Sequence, residues 1–195
     1  MTRQDRPRRS VLYVPANNAK AIAKLPQLAC DAVIFDLEDS VAPGEKDSAR
    51  EALRNYFANA PQQRQERIIR INALSSEWGT EDLLAACACR PDAILIPKVN
   101  VARDIQDVDD ALDDADADIR IWAMIETPKA ILNLGHLAEF GRDRAARVTP
   151  PTSATVTKER RAARSRLRGI SQILMDNRTI IRFHHAAGWR IVQAS

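Results

Sequence analysis

The apolar residues of this chain gather into short, dense runs separated by longer amphipathic stretches. Ser10-Val-Leu-Tyr-Val14, Ala32-Val-Ile-Phe35, Arg67-Ile-Ile-Arg-Ile71, Ala93-Ile-Leu-Ile96 and Ile119-Arg-Ile-Trp-Ala-Met-Ile125 are rich in β-branched residues, and each reads as a buried strand. Their spacing of about 22 to 35 residues leaves room for a helix and two turns between neighbours. Helix-compatible sequence fills those gaps at 18–29, 46–59, 80–88, 101–115 and 129–140. The first carries Ala19, Ile22, Ala23 and Leu25 at helical spacing, and Thr80-Glu-Asp82 has the polar residues of a helix start. Alternating strands and helices predict an α/β fold with a parallel sheet covered by helices.

An open doubly wound sheet and a closed β/α barrel both satisfy this alternation, and the polar residues discriminate between them. Asp36, Glu38 and Asp39 follow the second strand, Arg70 and Asn72 end the third, Lys98 follows the fourth and Glu126 the fifth. In a barrel those strand ends meet at one face, where active sites are built. No Gly-x-Gly-x-x-Gly or Gly-Lys-Ser/Thr loop follows the first strand, which argues against a nucleotide-binding open sheet. The expected fold is therefore a (β/α)8 TIM-barrel type. It is incomplete: about five β/α units are present, and a whole barrel takes about 250 residues.

Beyond Gly141 the periodicity stops. Val148 to Lys158 has loop composition, Glu159 to Arg168 is an Arg-rich helix candidate, and only Thr179-Ile-Ile-Arg-Phe183 is strand-like. The formal charge of +3 conceals a matching break, because residues 142–195 hold 12 Lys and Arg against 3 Asp and Glu. The expected organisation is a partial barrel domain over 1–141 and an atypical basic tail over 142–195. The break suggests a frameshift or a truncated gene product, an idea that fails if the other reading frames of the coding DNA continue no related sequence.

Composition narrows the function classes. At 45% hydrophobic and 28% charged residues the chain is an ordinary soluble one. No run of about 18 apolar residues is present, and the charged N-terminus has no signal-like apolar segment, so the expected location is cytoplasmic, without a membrane partner. Cys30, Cys87 and Cys89 lack the partners of a zinc site and read as reduced, packed thiols. His136, His184 and His185 have no nucleophile context, and Trp78 and Trp122 read as packing residues.

Five segments in order carry a resemblance: Arg9-Ser-Val-Leu-Tyr-Val-Pro15; Phe35-Asp-Leu-Glu-Asp-Ser-Val41 followed by Lys46 and Ala49-Arg50; Arg70-Ile-Asn72; Pro97-Lys98; and Ile125-Glu-Thr127. Over residues 8–141 the chain resembles the citrate lyase beta-subunit-like branch of the HpcH/HpaI aldolases. The resemblance implies a β/α barrel that makes or breaks a carbon–carbon bond between an acyl-CoA and a 2-oxo acid, uses Mg²⁺, and assembles as a homo-oligomer, often a trimer.

The matched residues suit those roles chemically. Glu126 matches a metal carboxylate, and a hard divalent ion takes oxygen ligands while keeping positions for substrate. Its alternative is a strand-end Glu that caps the turn before Pro128. Arg70 matches the substrate arginine, whose planar fork suits a carboxylate; a structural ion pair with Glu38 or Asp39 is the alternative. Glu38 and Asp39 match a supporting layer around the metal-bound water and Arg70, against a reading as solvated acids before a helix. Tyr13, Lys20 and Lys24 match positions that contact CoA, and exposed helix lysines are the plainer reading of the last two.

One departure stands out. The family's second metal aspartate lies in a Gly-Thr-Asn-Asp-Leu-like segment, and the corresponding window, Arg147 to Lys158, contains no aspartate. A catalytically inactive remnant of such a lyase therefore competes with the active enzyme. A nucleic-acid binder using Lys158, Arg160, Arg161, Arg164, Arg166 and Arg168 is the third reading. The chain has no recognisable reader motif and only 5% aromatic residues, which argues against it.

Overall fold

The computed structural model describes residues 10–59, 64–115, 117, 119–145, 179–182 and 190–193. Five parallel strands run side by side in sequence order: β1 Val11–Pro15, β2 Ala32–Asp36, β3 Glu66–Arg70, β4 Ala93–Ile96 and β5 Arg120–Met124. All five dense apolar runs thus form strands, with ends shifted by no more than a residue or so. Between and after them lie α1 Ala19–Ile22, α2 Lys46–Asn59, α3 Gly79–Cys89, α4 Ala102–Asp114, α5 Pro128–Leu132 and α6 Leu134–Ala145.

Strand alternation divides the sheet into two faces. Val33, Phe35, Ile69, Ile94 and Ala123 pack with helix residues Ala49, Leu53, Leu83, Ala86, Ile105, Val108, Leu112, Ala130 and Leu137 in one core. Buried Ile105, Val108 and Leu112 form a single stripe on α4, and Phe35 meets Tyr56 and Phe57 with ring centroids 5.2 and 5.4 Å away. The other face holds Ala32, Ile34, Ile68, Ala93, Leu95, Trp122 and Met124 with Val11 and Tyr13, all from strands. An ion pair closes this apolar strip at each end of the sheet, Arg120–Glu66 at 3.4 Å on the N-terminal side and Arg70–Asp36 on the C-terminal side.

Two expected helices are broken. The segment 18–29 is helical only over α1, followed by a 3-10 turn at Leu25–Gln27. Pro26 removes the N–H that a continuing helix would use and clashes with the preceding turn. The segment 129–140 divides at Asn133, whose side-chain amide donates to the Asn100 carbonyl at 2.9 Å, and α6 then runs on to Ala145, across the expected boundary at 141. Gly79 opens α3 because a Cβ there would lie 2.2 Å from the Ala73 carbonyl oxygen.

The strand expected at 179–183 forms as β6, Thr179–Arg182, antiparallel to β5, so the sheet is not parallel throughout. A further strand that the sequence did not announce, β7 Arg190–Gln193, pairs antiparallel with β6. The helix candidate at 159–168, with its arginines, lies outside the described residues, as do His184 and His185. No helix among the described residues is long and apolar enough to cross a membrane.

Candidate functional site

Parallel register brings the charged strand ends to one edge. Asp36 and Arg70 are direct partners across β2 and β3, and the pairing continues past the strands through Leu37 N–H to the Arg70 carbonyl at 2.9 Å and Ile71 N–H to the Leu95 carbonyl at 3.2 Å. Arg70 Nε donates to Asp36 Oδ1 and Nη2 to Oδ2, each at 2.6 Å, a bidentate fork. Its Nη1 reaches Glu38 Oε2 at 2.8 Å, and the guanidinium lies 5.3 Å from the centre of the Tyr13 ring. Lys98, from the turn after β4, extends Nζ to Glu38 Oε1 at 2.8 Å and stands 3.7 Å from Asp39. Its backbone N–H donates to Glu126 Oε1 at 2.8 Å. Strand ends β1 to β5 thus meet in one cluster of two cations and four carboxylates.

Burial and charge set the protonation of this cluster. Desolvation pushes the Asp36 carboxyl up, but the Arg70 hydrogen bonds and charge outweigh it and hold Asp36 below the ordinary aspartate value. Glu38 moves the other way: burial raises its carboxyl above the ordinary glutamate value despite Lys98 and Arg70. Burial would pull Arg70 down, yet Asp36 and Glu38 hold its proton more firmly than usual. Lys98 is raised, chiefly by its hydrogen bond to Glu38.

A second buried network supports the first from the helix side. Lys46 Nζ, at the start of α2, donates to the Leu37 and Glu38 carbonyls at 2.6 and 2.7 Å and to Asn72 Oδ1 at 3.2 Å. Asp82 on α3 is fully buried and accepts from Arg50 Nη1 and from the backbone and side-chain N–H of Asn72. Asn72, two residues past the end of β3, is thereby tied to Lys46, Leu37 and Asp82 and not to Arg70.

Residues 9–150 match the model of the HpcH/HpaI aldolase/citrate lyase family. The chain belongs to this family. It is 44% identical over 142 residues to a (3S)-malyl-CoA thioesterase of Cereibacter sphaeroides, which covers 73% of this chain and 48% of the relative. To citrate lyase subunit beta of Escherichia coli it is 41% identical over 107 residues, 55% of this chain and 35% of the relative. Among solved structures it resembles the citrate lyase beta subunit of M. tuberculosis complexed with oxaloacetate and magnesium, with a TM-score of 0.57 and 28% identity over 71% of this chain and 56% of that one. The chain spans about half, or less, of the length of these curated family members.

The structure gathers Arg70, Glu38, Asp39, Tyr13 and Glu126 at one edge of this family's fold. Arg70 is already paired, and its principal partner is Asp36, whereas the sequence offered Glu38 or Asp39. Tyr13 packs under the Arg70 guanidinium, while Lys20 and Lys24 stand exposed on α1 and the turn that follows. Sequence reasoning had Lys98 in a motif but gave it no role. The signal was there, since a lysine directly after a buried strand and a proline faces the same edge as the other strand-end charges.

The fit of a divalent cation depends on Glu126. No group of three His, Cys, Asp or Glu side chains able to hold a metal occurs among the described residues. Glu126 is half-buried, with one carboxylate oxygen fixed by the Lys98 N–H. Mg²⁺ is commonly held by one or two carboxylates, keeping water and substrate oxygens in its remaining positions. Glu126 offers such an ion a single carboxylate, one oxygen of which the Lys98 N–H already holds.

Cys30, Cys87 and Cys89 are free thiols, and burial pushes Cys89 up to about 11. His136 is exposed on α6, Trp122 is packed in the strand-only core, and Trp78 lies 5.0 Å beneath Lys46 Nζ.

Proposed function

We propose that this chain belongs to a Mg²⁺-dependent carbon–carbon lyase that splits a 3-hydroxyacyl-CoA of the citryl-CoA or malyl-CoA type into acetyl-CoA and a 2-oxo acid. One observation carries the reading: a buried arginine, an acidic cluster and the Glu126 carboxylate converge at the C-terminal edge of a parallel sheet in a chain of this family. Residues 1–141, with the end of α6 beyond them, act as a partial β/α-barrel domain in a cytoplasmic homo-oligomer, and 142–195 as an atypical basic tail that adds β6 and β7 to the sheet.

Cleavage removes a proton from the 3-hydroxyl, breaks the carbon–carbon bond with its electron pair passing to the carbon beside the thioester, and returns a proton to that carbon. Mg²⁺, when bound at Glu126, supplies Lewis-acid stabilisation of the oxygen that becomes the 2-oxo group. Arg70, oriented by the Asp36 fork, presents fixed positive charge to the 2-oxo acid carboxylate. Glu38, with its carboxyl raised by burial, is the member of the cluster best matched to proton exchange, and Asp39 tempers the charge at the rim. Lys20 and Lys24 meet the CoA phosphates, with Tyr13 fixing Arg70 from below.

Two alternatives remain distinguishable. The malyl-CoA relative is named for thioester hydrolysis, and a chain short of the second metal aspartate suits an inactive remnant. Purified chain is incubated with malyl-CoA and with citryl-CoA, with and without Mg²⁺, following 2-oxo acid and free thiol separately. The expected result is Mg²⁺-dependent 2-oxo acid release that Glu126→Ala abolishes. Thiol release without 2-oxo acid would establish hydrolysis, and a folded chain with neither product would establish the remnant.

A further inference from the structure

Lys98 is one of two non-glycine residues with left-handed backbone among those described, both at φ 49°. For Arg90 the reason is ordinary: it ends α3, its N–H returning to the Ala86 and Cys87 carbonyls. Lys98 ends no helix. Its conformation lies directly between a buried proline and buried Val99, and it sends the backbone N–H to Glu126 and the side chain back across the sheet edge to Glu38. Left-handed backbone at a non-glycine residue persists where the surroundings demand it, and such positions gather at functional sites.

Resting on the functional reading above, we propose that Lys98 is a positioning residue that fixes the cation-side carboxylate Glu126 through its backbone and the arginine-side carboxylate Glu38 through its ammonium. The two halves act independently. The N–H holds one oxygen of Glu126 in place, leaving the other for a cation. The ammonium, about half exposed, offsets the negative charge that Glu38 and Asp39 add where an anionic substrate must approach. A residue with a purely structural role would affect cation and anion binding in the same direction. Lys98 is expected to affect them in opposite directions.

The first test needs no ligand. Exchange of the Lys98 amide proton is followed by nuclear magnetic resonance in the full chain and in Glu126→Ala and Glu126→Gln, with melting curves to confirm folding. Protection that falls at least about tenfold in the alanine variant and survives in the glutamine variant, which keeps an acceptor oxygen, supports the backbone role. Equal exchange in all three overturns it.

The second test titrates Mg²⁺ and, separately, oxaloacetate into Lys98→Met and Lys98→Val. Methionine keeps an unbranched stem and loses the charge, so Mg²⁺ should bind as tightly or more tightly while oxaloacetate weakens about tenfold. Valine, β-branched and excluded from left-handed backbone, should weaken both. Parallel losses in the methionine variant overturn the ammonium role. If the unmodified chain binds neither ligand the functional reading fails, and the amide exchange still decides for or against Lys98 as the residue that positions Glu126.

Discussion

Replacing Arg70 with methionine tests how the cluster is held together. Asp36 is 2% exposed, and Arg70→Met takes from it two charge-assisted hydrogen bonds of 2.6 Å. Removing one partner of a buried ion pair costs about 3–5 kcal/mol, because the other charge is left in a medium that cannot solvate it. Glu38 loses a contact too but keeps Lys98. The loss at neutral pH should therefore be about 3–5 kcal/mol, read from urea unfolding by circular dichroism. The pH dependence follows from Asp36. Its folded carboxyl sits below the ordinary aspartate value, so the stability it contributes is present above that value and is lost as pH falls through the folded one. Without Arg70 the buried carboxyl instead takes up a proton well above the ordinary value. The gap between parent and variant should thus narrow from neutral pH down to about pH 4.5. A loss below about 1 kcal/mol, the range of an exposed pair, or a gap that ignores pH would refute the reasoning.

Glu38→Gln should behave differently, because the folded carboxyl is already raised by burial and its ionisation opposes folding as pH rises. Unfolding free energy at neutral pH should stay within about 1 kcal/mol of the parent, while oxaloacetate binding changes. Asp82→Ala takes from the buried Arg50 guanidinium one of its two carboxylates, leaving Asp47, and strands two N–H groups of Asn72; it should cost about 3–5 kcal/mol in the same unfolding assay. Gly79→Ala should lower the melting temperature, by about 1–3 kcal/mol in stability, since backbone atoms lie where its Cβ would be. Alkylation of Cys89 should be slow at neutral pH and rise toward its value of about 11, measured by mass spectrometry of modified peptides.

The five parallel strands were legible because each concentrates apolar residues on both of its faces, and the polar residues after most runs marked the functional edge. Register was not legible. Asp36, Glu38 and Asp39 are equivalent acids in sequence, and only the direct pairing of Asp36 with Arg70 across β2 and β3 selects the principal partner. Pro26 marks the break in the first helix, since it lacks the N–H that a further turn would use. The break at Asn133 coincides with a hydrogen bond to Asn100, 33 residues earlier, which no local pattern contains. Lys98 shows the same limit, since a lysine with left-handed backbone has no counterpart in residue type. In β7, only Ile191 and Val192 separate Arg190 from Gln193, too short an apolar stretch to read as a strand.

The central claim is that the edge cluster forms a site for a divalent cation and a 2-oxo acid, and calorimetric titration tests it most directly. Mg²⁺ is titrated into the full chain in the presence of oxaloacetate, beside the same titration of Glu126→Ala with its fold confirmed by circular dichroism. The account predicts saturable binding in the parent chain that Glu126→Ala abolishes. Equal binding by both, or none by a folded parent chain, would contradict it.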